Sequence, residues 1–210
     1  MKMTPRLSIE KEHGFPQKKI VGVDEVGRGC LAGPVYAAAV VLPEDINTKK
    51  YPWILQITDS KCVAKGKREE LSKKIQSWAR EFCVAWASVE EIDQINIFHA
   101  SHLAMVRAVQ GLNTKIDHVL VDGKFLPKNV DFKQTAVIQG DKKSLAIASA
   151  SILAKVARDQ QMDQLELDFP GYGLSKHKGY PTPFHKKMLI EKGPSEIHRR
   201  SFRPVSELLL

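Results

Sequence analysis

The sequence is poor in cysteine and has no long apolar run, and both absences narrow the class of protein. Its three cysteines, Cys30, Cys62 and Cys83, lie far apart, and no pair has the spacing of zinc ligands. An odd number of scattered thiols is typical of a reducing cytoplasm and argues against a disulfide framework. No apolar run reaches the length of a membrane span, and the N-terminus lacks the apolar core of a signal peptide. We therefore expect a cytoplasmic protein with no membrane-spanning segment.

The charge of the chain is unevenly distributed. The 210 residues are 43% hydrophobic and 27% charged, which is ordinary for one globular domain with or without a small appendage. The net charge of +8 is concentrated near the C-terminus. Between positions 171 and 204 there are only two acidic residues, whereas the basic residues are Lys176, Lys178, Lys186, Lys187, Lys192, Arg199, Arg200 and Arg203. Together with nearby aromatic residues this excess favours a polyanionic partner, although a solvated basic surface explains the charges equally well.

Apolar runs and helical periodicity alternate along the chain, which indicates an α/β protein. Residues 1–17 are polar and are expected to form a loose lead-in. We predict strands at 20–24, 35–42, 82–87, 118–122 and 135–138, and helices at 65–80, 92–109 and 144–168. Glycine- and proline-rich turns with short helices are expected after Pro170.

Four carboxylates stand at the ends of predicted elements. Asp24 and Glu25 end the first strand, Asp122 ends the strand 118–122, and Asp141 precedes the long helix. If the two strands are parallel neighbours, Asp24 and Asp122 emerge at the same edge of the sheet, where open α/β sheets place their sites. Adjacent carboxylates repel one another, and a cation between them removes that cost. Oxygen-only ligands suit Mg²⁺ or Mn²⁺, and two such ions about 3.5–4 Å apart hold a phosphate and activate a water.

Some of these carboxylates also have a purely structural explanation. Asp141 fits an N-cap of the helix that follows, and Asp122 with Gly123 fits an ordinary turn. The pair Asp24 and Glu25 is harder to explain in this way, because one carboxylate is enough for a turn. The adjacent pair is therefore the stronger indication of a metal site.

The segment after Glu25 indicates a contact with phosphate or sugar. Gly27, Arg28 and Gly29 form a turn in which glycines let backbone amides and a guanidinium approach a phosphate closely. In the long helix, Ser144 begins a narrow polar stripe on an otherwise apolar surface. A metal site beside a phosphate or sugar site is thus predicted around the first strand.

These residues belong to longer motifs that resemble the ribonuclease HII family, the bacterial type 2 ribonucleases H. The longest is the segment 22–35, which reads Gly-Val-Asp-Glu-Val-Gly-Arg-Gly-Cys-Leu-Ala-Gly-Pro-Val. Further matches follow in family order at 59–61, 96–109, 121–123, 140–141, 144–159, 172–183, 193–195 and 198–205. The resemblance covers about residues 18–205, and several long motifs in the right order are far stronger evidence than any single one.

The resemblance implies a ribonuclease H-like mixed five-stranded sheet flanked by helices, with a C-terminal helical extension. It divides the chain into a catalytic domain at 18–169 and a basic extension at 170–210 that packs on it. The implied enzyme is a metal-dependent endonuclease that hydrolyses the RNA strand of RNA–DNA hybrids. It also incises duplex DNA 5′ of single ribonucleotides and leaves 3′-hydroxyl and 5′-phosphate ends. We expect a monomer; a replication clamp is a further candidate partner, on which the sequence is silent.

The resemblance also assigns roles to individual residues. The catalytic and metal-binding carboxylates map onto Asp24, Glu25, Asp122 and Asp141. The substrate contacts map onto Gly27, Arg28, Gly29, Lys61, Ser144 and Tyr180. In such enzymes the glycine–arginine–glycine turn reads the ribose 2′-hydroxyl, the tyrosine packs on the sugar beside the scissile junction, and the lysine contacts phosphate.

A few positions depart from the family pattern. Cys62 and Val63 follow the Asp-Ser-Lys motif where Lys-Leu is more frequent, Lys124 stands where Asn is common, and Phe184 stands where a polar residue is usual. None of them is a carboxylate, so they bear on substrate preference rather than on the chemistry. The alternative from another class is a non-catalytic nucleic-acid-binding module, which the basic C-terminal segment supports and the acidic cluster opposes.

Overall fold

A computed structural model describes residues 7–209. Its strands are β1 (Ile20–Val26), β2 (Val35–Val41), β3 (Glu81–Ala87), β4 (His118–Asp122) and β5 (Gln134–Val137). Its helices are α1 (Ser8–Glu12), α2 (Lys65–Trp78), α3 (Val89–Gln110), α4 (Gly140–Lys143), α5 (Leu145–Asp168), α6 (Leu174–His177) and α7 (Pro183–Lys192). Every predicted strand and helix is present, with ends that differ by a few residues. Within this range no helix has the length and apolar character needed to cross a bilayer.

The strands form one five-stranded sheet in the order β3–β2–β1–β4–β5. β2 pairs antiparallel with both β1 and β3, whereas β1, β4 and β5 run parallel to one another. The register of the parallel pair sets Val23 beside Val121, so Asp24 and Asp122 emerge next to each other at one edge. The mixed sheet expected from the sequence is confirmed.

Helices cover both faces of the sheet, which explains why its strands are apolar on both sides. α5 and α2 pack on the face that carries Ala38, and α3 packs on the face that carries Ala37 and Ala39. Every residue of β2 is buried, and its small side chains let the helices approach closely. In β1, a Cβ atom at Gly22 would lie 2.2 Å from the carbonyl carbon of Ala146 in α5. Only glycine permits this packing, which brings α5 directly against the strand that carries the acidic pair.

The N-terminal segment differs from the loose lead-in predicted for residues 1–17. Ser8–Glu12 forms α1, and Glu10 is fully buried. A Glu10 carboxylate oxygen accepts hydrogen bonds from the Ser144 hydroxyl at 2.7 Å and from the Ala146 N–H at 3.0 Å. This carboxylate satisfies a backbone donor at the start of α5, where the helix dipole also favours negative charge. The prediction is therefore wrong for residues 8–12, and residues 1–6 lie outside the part that the structure describes.

Helix α3 begins earlier than the periodicity predicts, because side chains cap it. Ser88 and Glu91 form a reciprocal capping box at its start. A kink at Asn96, with φ of 62°, divides the helix, and the Asn96 side chain accepts hydrogen bonds from the N–H groups of Phe98 and His99. Each segment of α3 thus has its own side-chain cap.

The C-terminal segment packs against α5 and the loop that follows β1. Tyr172, Leu174 and Ile197 form a small apolar cluster with Ala32 and Met162. The loop after β1 is therefore held between the sheet and the C-terminal helices, and this position governs the geometry of the candidate site.

Candidate active site

Three carboxylates converge at the edge of the sheet where β1 and β4 end. Asp24, Glu25 and Asp122 each place one oxygen within 4.8 Å of the others. They line a cavity of about 390 Å³. The remaining residues around this cavity are Val26, Ser60, Lys61, Asp141, Ser151, Lys155 and Tyr180. The parallel register of β1 and β4 brings the acidic pair and Asp122 together, as the sequence predicts.

Backbone hydrogen bonds fix the orientation of two of these carboxylates. An Asp24 oxygen accepts from the N–H of Glu25 at 2.7 Å, and an Asp122 oxygen accepts from the N–H of Gly140 at 2.7 Å. A Cβ atom at Gly140 would lie 3.0 Å from that same Asp122 oxygen and 2.5 Å from the Ile147 side chain. Glycine at this position lets the start of α4 approach Asp122 closely.

Burial and mutual repulsion raise the pKa of the carboxyl groups in the cavity. Burial is the largest cause for Asp24, Glu25, Asp122 and Asp141 alike. Repulsion from Glu25 and Asp122 adds to it at Asp24, whose pKa lies well above its ordinary value. Arg28 acts in the opposite direction on the pKa of Glu25. The four groups therefore resist simultaneous ionisation, and a bound cation would relieve that resistance.

The donor set fits a divalent cation that prefers oxygen ligands, such as Mg²⁺ or Mn²⁺. Asp24, Glu25 and Asp122 would contact it directly, and Asp141 lines the same cavity outside their tight group. These carboxylates point into one cavity and are costly to ionise together. In such an arrangement a bound cation contributes most to the stability of the folded protein.

We expect Asp24→Asn to raise the melting temperature of the metal-free protein by about 2–4 °C, the shift that about 1 kcal/mol produces in a chain of this size. The folded-state pKa of Asp24 is raised. Ionisation of Asp24 therefore does not destabilise the fold below the ordinary pKa of 3.8. The destabilisation grows as the pH rises above that value and is fully developed above the folded pKa. Differential scanning calorimetry at pH 7 and at about pH 4 checks this prediction. The difference in melting temperature between the variant and the wild type should narrow at the lower pH.

Added Mn²⁺ provides the control for this prediction. It should raise the melting temperature of the wild type more than that of Asp24→Asn, because the variant has lost a ligand. A variant that is less stable than the wild type without metal, or equally stabilised by Mn²⁺, would contradict the assignment of Asp24 to a cation site.

The Gly27–Gly29 turn follows the acidic pair and is held from the protein interior. Gly27 is buried with φ of 97°, and a Cβ atom there would lie 2.1 Å from Nε of Arg158. Arg28 is exposed, and its guanidinium lies 3.4 Å from a Glu25 oxygen. The turn therefore presents Arg28 to solvent beside the carboxylates, while its glycine permits close packing underneath.

A buried arginine supports this turn and a second one supports the segment that follows it, and neither role is visible in the sequence. Arg199 donates to the carbonyl oxygens of Gly27 at 2.7 Å, of Arg28 at 2.8 Å and of Gly33 at 2.8 Å. Arg158 donates to the carbonyl oxygens of Ala32, Pro34 and Lys178, at 3.1, 3.0 and 2.8 Å. Both side chains are fully buried, and burial lowers the pKa of Arg199 to about 10. The charge distribution predicts Arg199 on a basic C-terminal surface, and this prediction is wrong for this residue because its side chain is buried.

Lys61 and Tyr180, the substrate contacts that the family resemblance implies, line the same cavity as the carboxylates. Lys61 is exposed on a 3₁₀ turn, and its N–H donates to an Asp59 oxygen at 2.9 Å. The Tyr180 ring is half-buried, and Nζ of Lys155 lies 6.0 Å from its centroid. An aromatic ring and two lysines thus surround the acidic group.

Ser144 does not lie where a substrate contact requires it. Its side chain is fully buried, donates to Glu10 and accepts from the Ile147 N–H at 3.1 Å as the N-cap of α5. The predicted substrate role of Ser144 is therefore withdrawn. The same observation removes the structural explanation of Asp141, because Ser144 caps the long helix in its place.

The sheet and the cavity together define a class of protein. Carboxylates gathered at one edge of a mixed sheet, with lysines around them, suit metal-dependent hydrolysis of a phosphodiester. The model of the family Ribonuclease HII matches residues 21–205. The chain belongs to the ribonuclease HII family, and it is accordingly a ribonuclease H, a hydrolase with endonuclease activity.

Individual relatives agree with this membership over most of the chain. Ribonuclease HII of Hydrogenovibrio crunogenus is 50% identical over 206 residues, which cover 98% of this chain and 96% of that protein. Ribonuclease HII of Myxococcus xanthus is 52% identical over 190 residues, which cover 90% of this chain and 63% of that protein. Ribonuclease H2 from Pyrococcus horikoshii has a similar structure, with a TM-score of 0.76, 28% identity, and coverage of 90% of this chain and 96% of that one. The structure of Bst-RNase HIII in complex with Mn²⁺ shares the fold, with a TM-score of 0.68 at 16% identity, and covers 94% of this chain and 71% of that one.

Proposed function

We propose that this enzyme hydrolyses the RNA strand of RNA–DNA hybrids and incises duplex DNA on the 5′ side of single ribonucleotides. The products carry 3′-hydroxyl and 5′-phosphate ends. The observation that carries the proposal is one cavity in which the carboxylates, Lys61 and Tyr180 meet directly beside the Gly27–Gly29 turn. This combination provides for phosphate chemistry and for recognition of a sugar at the same place.

The carboxylates Asp24, Glu25, Asp122 and Asp141 are proposed to hold a pair of divalent ions. When bound, Mg²⁺ or Mn²⁺ supplies the Lewis-acid chemistry that activates a water and stabilises the leaving 3′-oxygen. The hydrogen bonds from the backbone to Asp24 and Asp122 orient these ligands before substrate binds. Ligands that are already oriented need little reorganisation during the reaction, which lowers its barrier.

Two lysines are proposed to contact the phosphate backbone. Lys61 is exposed at the cavity, on a turn that Asp59 fixes. Lys155 is partly buried and is anchored by Asp159 at 2.6 Å. Because such contacts release counterions from the nucleic acid, substrate affinity should fall steeply with salt concentration.

The Gly27–Gly29 turn is proposed to test for the ribose 2′-hydroxyl. That hydroxyl both donates and accepts hydrogen bonds, and it is the group that distinguishes RNA from DNA. Gly29 is exposed and, relative to the described residues, has open space where a side chain would lie. A sugar is therefore able to reach the backbone of the turn, which the buried Arg199 keeps in place.

Cleavage of an end-labelled DNA duplex with one ribonucleotide tests the proposed function. We expect a single nick on the 5′ side of the ribonucleotide, with a 3′ end that a polymerase extends, and a requirement for Mg²⁺ or Mn²⁺. A nick on the 3′ side, or an uncut duplex at every metal concentration, would contradict the proposal. A non-catalytic binding module would bind the duplex and yield no nick throughout a Mn²⁺ titration.

Tyr180→Ala should slow cleavage at a single ribonucleotide about tenfold, while affinity for the same duplex changes much less. An aromatic ring that packs on a nucleotide contributes about 1–3 kcal/mol, and here the contact is proposed at the reacting junction. Single-turnover rates and binding isotherms on one duplex separate the two effects. Tyr180→Phe keeps the ring and serves as the control, and equal rates for the alanine variant and the wild type would contradict the role.

The cofactor and the assembly follow the same reasoning. We propose Mg²⁺ or Mn²⁺ as the cofactor; one structural relative, Bst-RNase HIII, is a complex with Mn²⁺. We propose a monomer in the cytoplasm with a catalytic domain at 18–169 and a C-terminal extension at 170–210. A structural relative at 22% identity comes from the PCNA:RNase HII complex of Archaeoglobus fulgidus. We therefore propose a replication clamp as a candidate partner, which co-purification would test.

A further inference from the structure

Three histidine rings lie side by side behind Tyr180. The rings of His177 in α6 and His185 in α7 stack with centroids 4.4 Å apart. Nε2 of His185 lies 3.1 Å from Nε2 of His198. His185 and His198 are fully buried, and Nδ1 of His185 lies 3.0 Å from the carbonyl oxygen of Tyr180. The cluster is not part of the carboxylate cavity, but it ends on the residue that is proposed to pack on the substrate sugar.

The hydrogen-bond partners fix which nitrogen carries the proton in each ring. The backbone N–H of Ser195 donates to Nδ1 of His198 at 3.1 Å, so that nitrogen is an acceptor and Nε2 carries the hydrogen. Nε2–H of His198 then donates to Nε2 of His185. The hydrogen of His185 is therefore on Nδ1, which donates to the Tyr180 carbonyl. A directed chain of hydrogen bonds runs from Ser195 to Tyr180.

All three rings are neutral in this arrangement. His177 accepts from the Gly179 N–H at 3.2 Å and donates through Nε2 to the Tyr172 carbonyl at 2.8 Å. Burial lowers the pKa of His177, His185 and His198, and that of His198 lies at about 4. A ring with a second proton would turn an acceptor into a donor and break the chain.

The turn that carries Tyr180 is also held by backbone contacts, and these show what the histidine hydrogen bonds add to it. Gly179 has φ of 82°, and a Cβ atom there would lie 2.5 Å from the Ala32 carbonyl oxygen. The Gly179 carbonyl accepts from Leu31 N–H at 2.8 Å, and the Tyr180 carbonyl accepts from Thr182 N–H at 2.8 Å. These bonds hold the two ends of the turn. Within the described chain, His185 supplies the side-chain hydrogen bond that the Tyr180 carbonyl accepts.

We propose that His185 is a positioning residue, whose hydrogen bond orients Tyr180 toward the sugar at the ribonucleotide junction, and that His198 acts through it by fixing the tautomer of the His185 ring. The inference rests on the proposed function, since it concerns how Tyr180 is presented to that substrate. The residues act through the Tyr180 backbone and do not touch the reacting atoms. The sugar beside the scissile junction is a deoxyribose next to a single ribonucleotide and a ribose within a long hybrid, and the Tyr180 ring packs better on the smaller sugar. Loss of the hydrogen bond should therefore lower cleavage at a single ribonucleotide more than hydrolysis of a long hybrid.

Two substitutions at one position separate hydrogen bonding from packing. The side-chain nitrogen of asparagine overlies Nδ1 of histidine, whereas that of glutamine overlies Nε2. His185→Asn therefore keeps the donor to Tyr180, and His185→Gln loses it. We expect the ratio of the single-ribonucleotide rate to the long-hybrid rate to fall roughly three- to tenfold in His185→Gln and to stay near the wild-type value in His185→Asn. A role in packing alone predicts the opposite order, because glutamine fills more of the space.

Two further measurements make the result decisive. In a Tyr180→Ala background, His185→Gln should no longer change the ratio, since its effect passes through Tyr180. Tyr172→Phe removes a hydroxyl that donates to the Gly193 carbonyl at 2.8 Å in the same C-terminal segment, and as the control it should leave the ratio unchanged. Equal ratios in both His185 variants, or an undiminished effect without Tyr180, would overturn the inference.

Nuclear magnetic resonance of ¹⁵N-labelled histidines tests the directed hydrogen bonds between the rings without any substitution. We expect His198 as the Nε2–H tautomer and His185 as the Nδ1–H tautomer at neutral pH. The opposite tautomer at either ring would overturn the inference even if the variants fail to fold. If the wild type leaves the single-ribonucleotide duplex uncut, the proposed function fails, whereas normal cleavage with unchanged ratios rejects only the positioning role.

Discussion

Asp122→Asn is expected to reduce phosphodiester cleavage about a thousandfold and to leave duplex binding largely intact. Asp122 is one of three residues whose oxygens converge within 4.8 Å. Asparagine keeps the acceptor for the Gly140 N–H but removes a negative charge from the cation site. A loss of about 4 kcal/mol in transition-state stabilisation, within the range attributed to a bound metal, corresponds to about three factors of ten in rate. Rates on a labelled hybrid at saturating Mg²⁺ measure the effect.

The matched control for this variant is Asp131→Asn. Asp131 is exposed and lies outside the residues that line the cavity, so the same change of charge should leave the rate near that of the wild type. Near-normal turnover of Asp122→Asn in Mg²⁺ would refute the catalytic assignment. A folded variant with unchanged binding and no cleavage is the outcome that supports it.

Arg199→Met should lower the free energy of unfolding by about 3 kcal/mol or more. The substitution leaves the carbonyl oxygens of Gly27, Arg28 and Gly33 without their buried donor, at a cost of about 1–3 kcal/mol each. In a chain of this length, 3 kcal/mol corresponds to a fall of about 6–12 °C in melting temperature. Thermal unfolding followed by circular dichroism checks this value.

Arg200→Met makes the same chemical change one residue later and controls for the loss of a positive charge. Arg200 is exposed, and the hydrogen bond to Asp93 comes from its backbone N–H, which the substitution keeps. We expect its melting temperature to stay within about 2 °C of the wild type, as is usual for surface substitutions. Similar losses in both variants would show that Arg199 does not support the turn through its buried contacts.

The position of the carboxylates is the part of the site that the sequence predicts well. Apolar runs that end on Asp24 and on Asp122 identify strand ends, and parallel strands bring such ends to one edge. The register of β1 and β4 confirms this reasoning. The carboxylate positions are predictable because they depend only on local periodicity and on the direction of two neighbouring strands.

The buried polar residues are the part that the sequence does not predict. Arg199 and Glu10 look like surface residues in sequence, because charged side chains are seldom fully buried. The partners of Arg199 stand at Gly27 and Gly33, more than half the chain away, and the partner of Glu10 is the start of α5. Local patterns carry no information on such distant backbone groups. Ser144 differs in part, because its N-cap bond to Ile147 is local and only its partner Glu10 is distant.

The support of the Gly27–Gly29 turn by Arg199 has a consequence for protein synthesis. The carboxylates of β1 are translated early, but the guanidinium that holds the adjacent turn comes from near the end of the chain. A nascent chain acquires a supported turn only after residue 199 has left the ribosome, because domains emerge from their N-terminal end first. Nascent chains that stop before this point should therefore lack the supported Gly27–Gly29 turn beside their carboxylates.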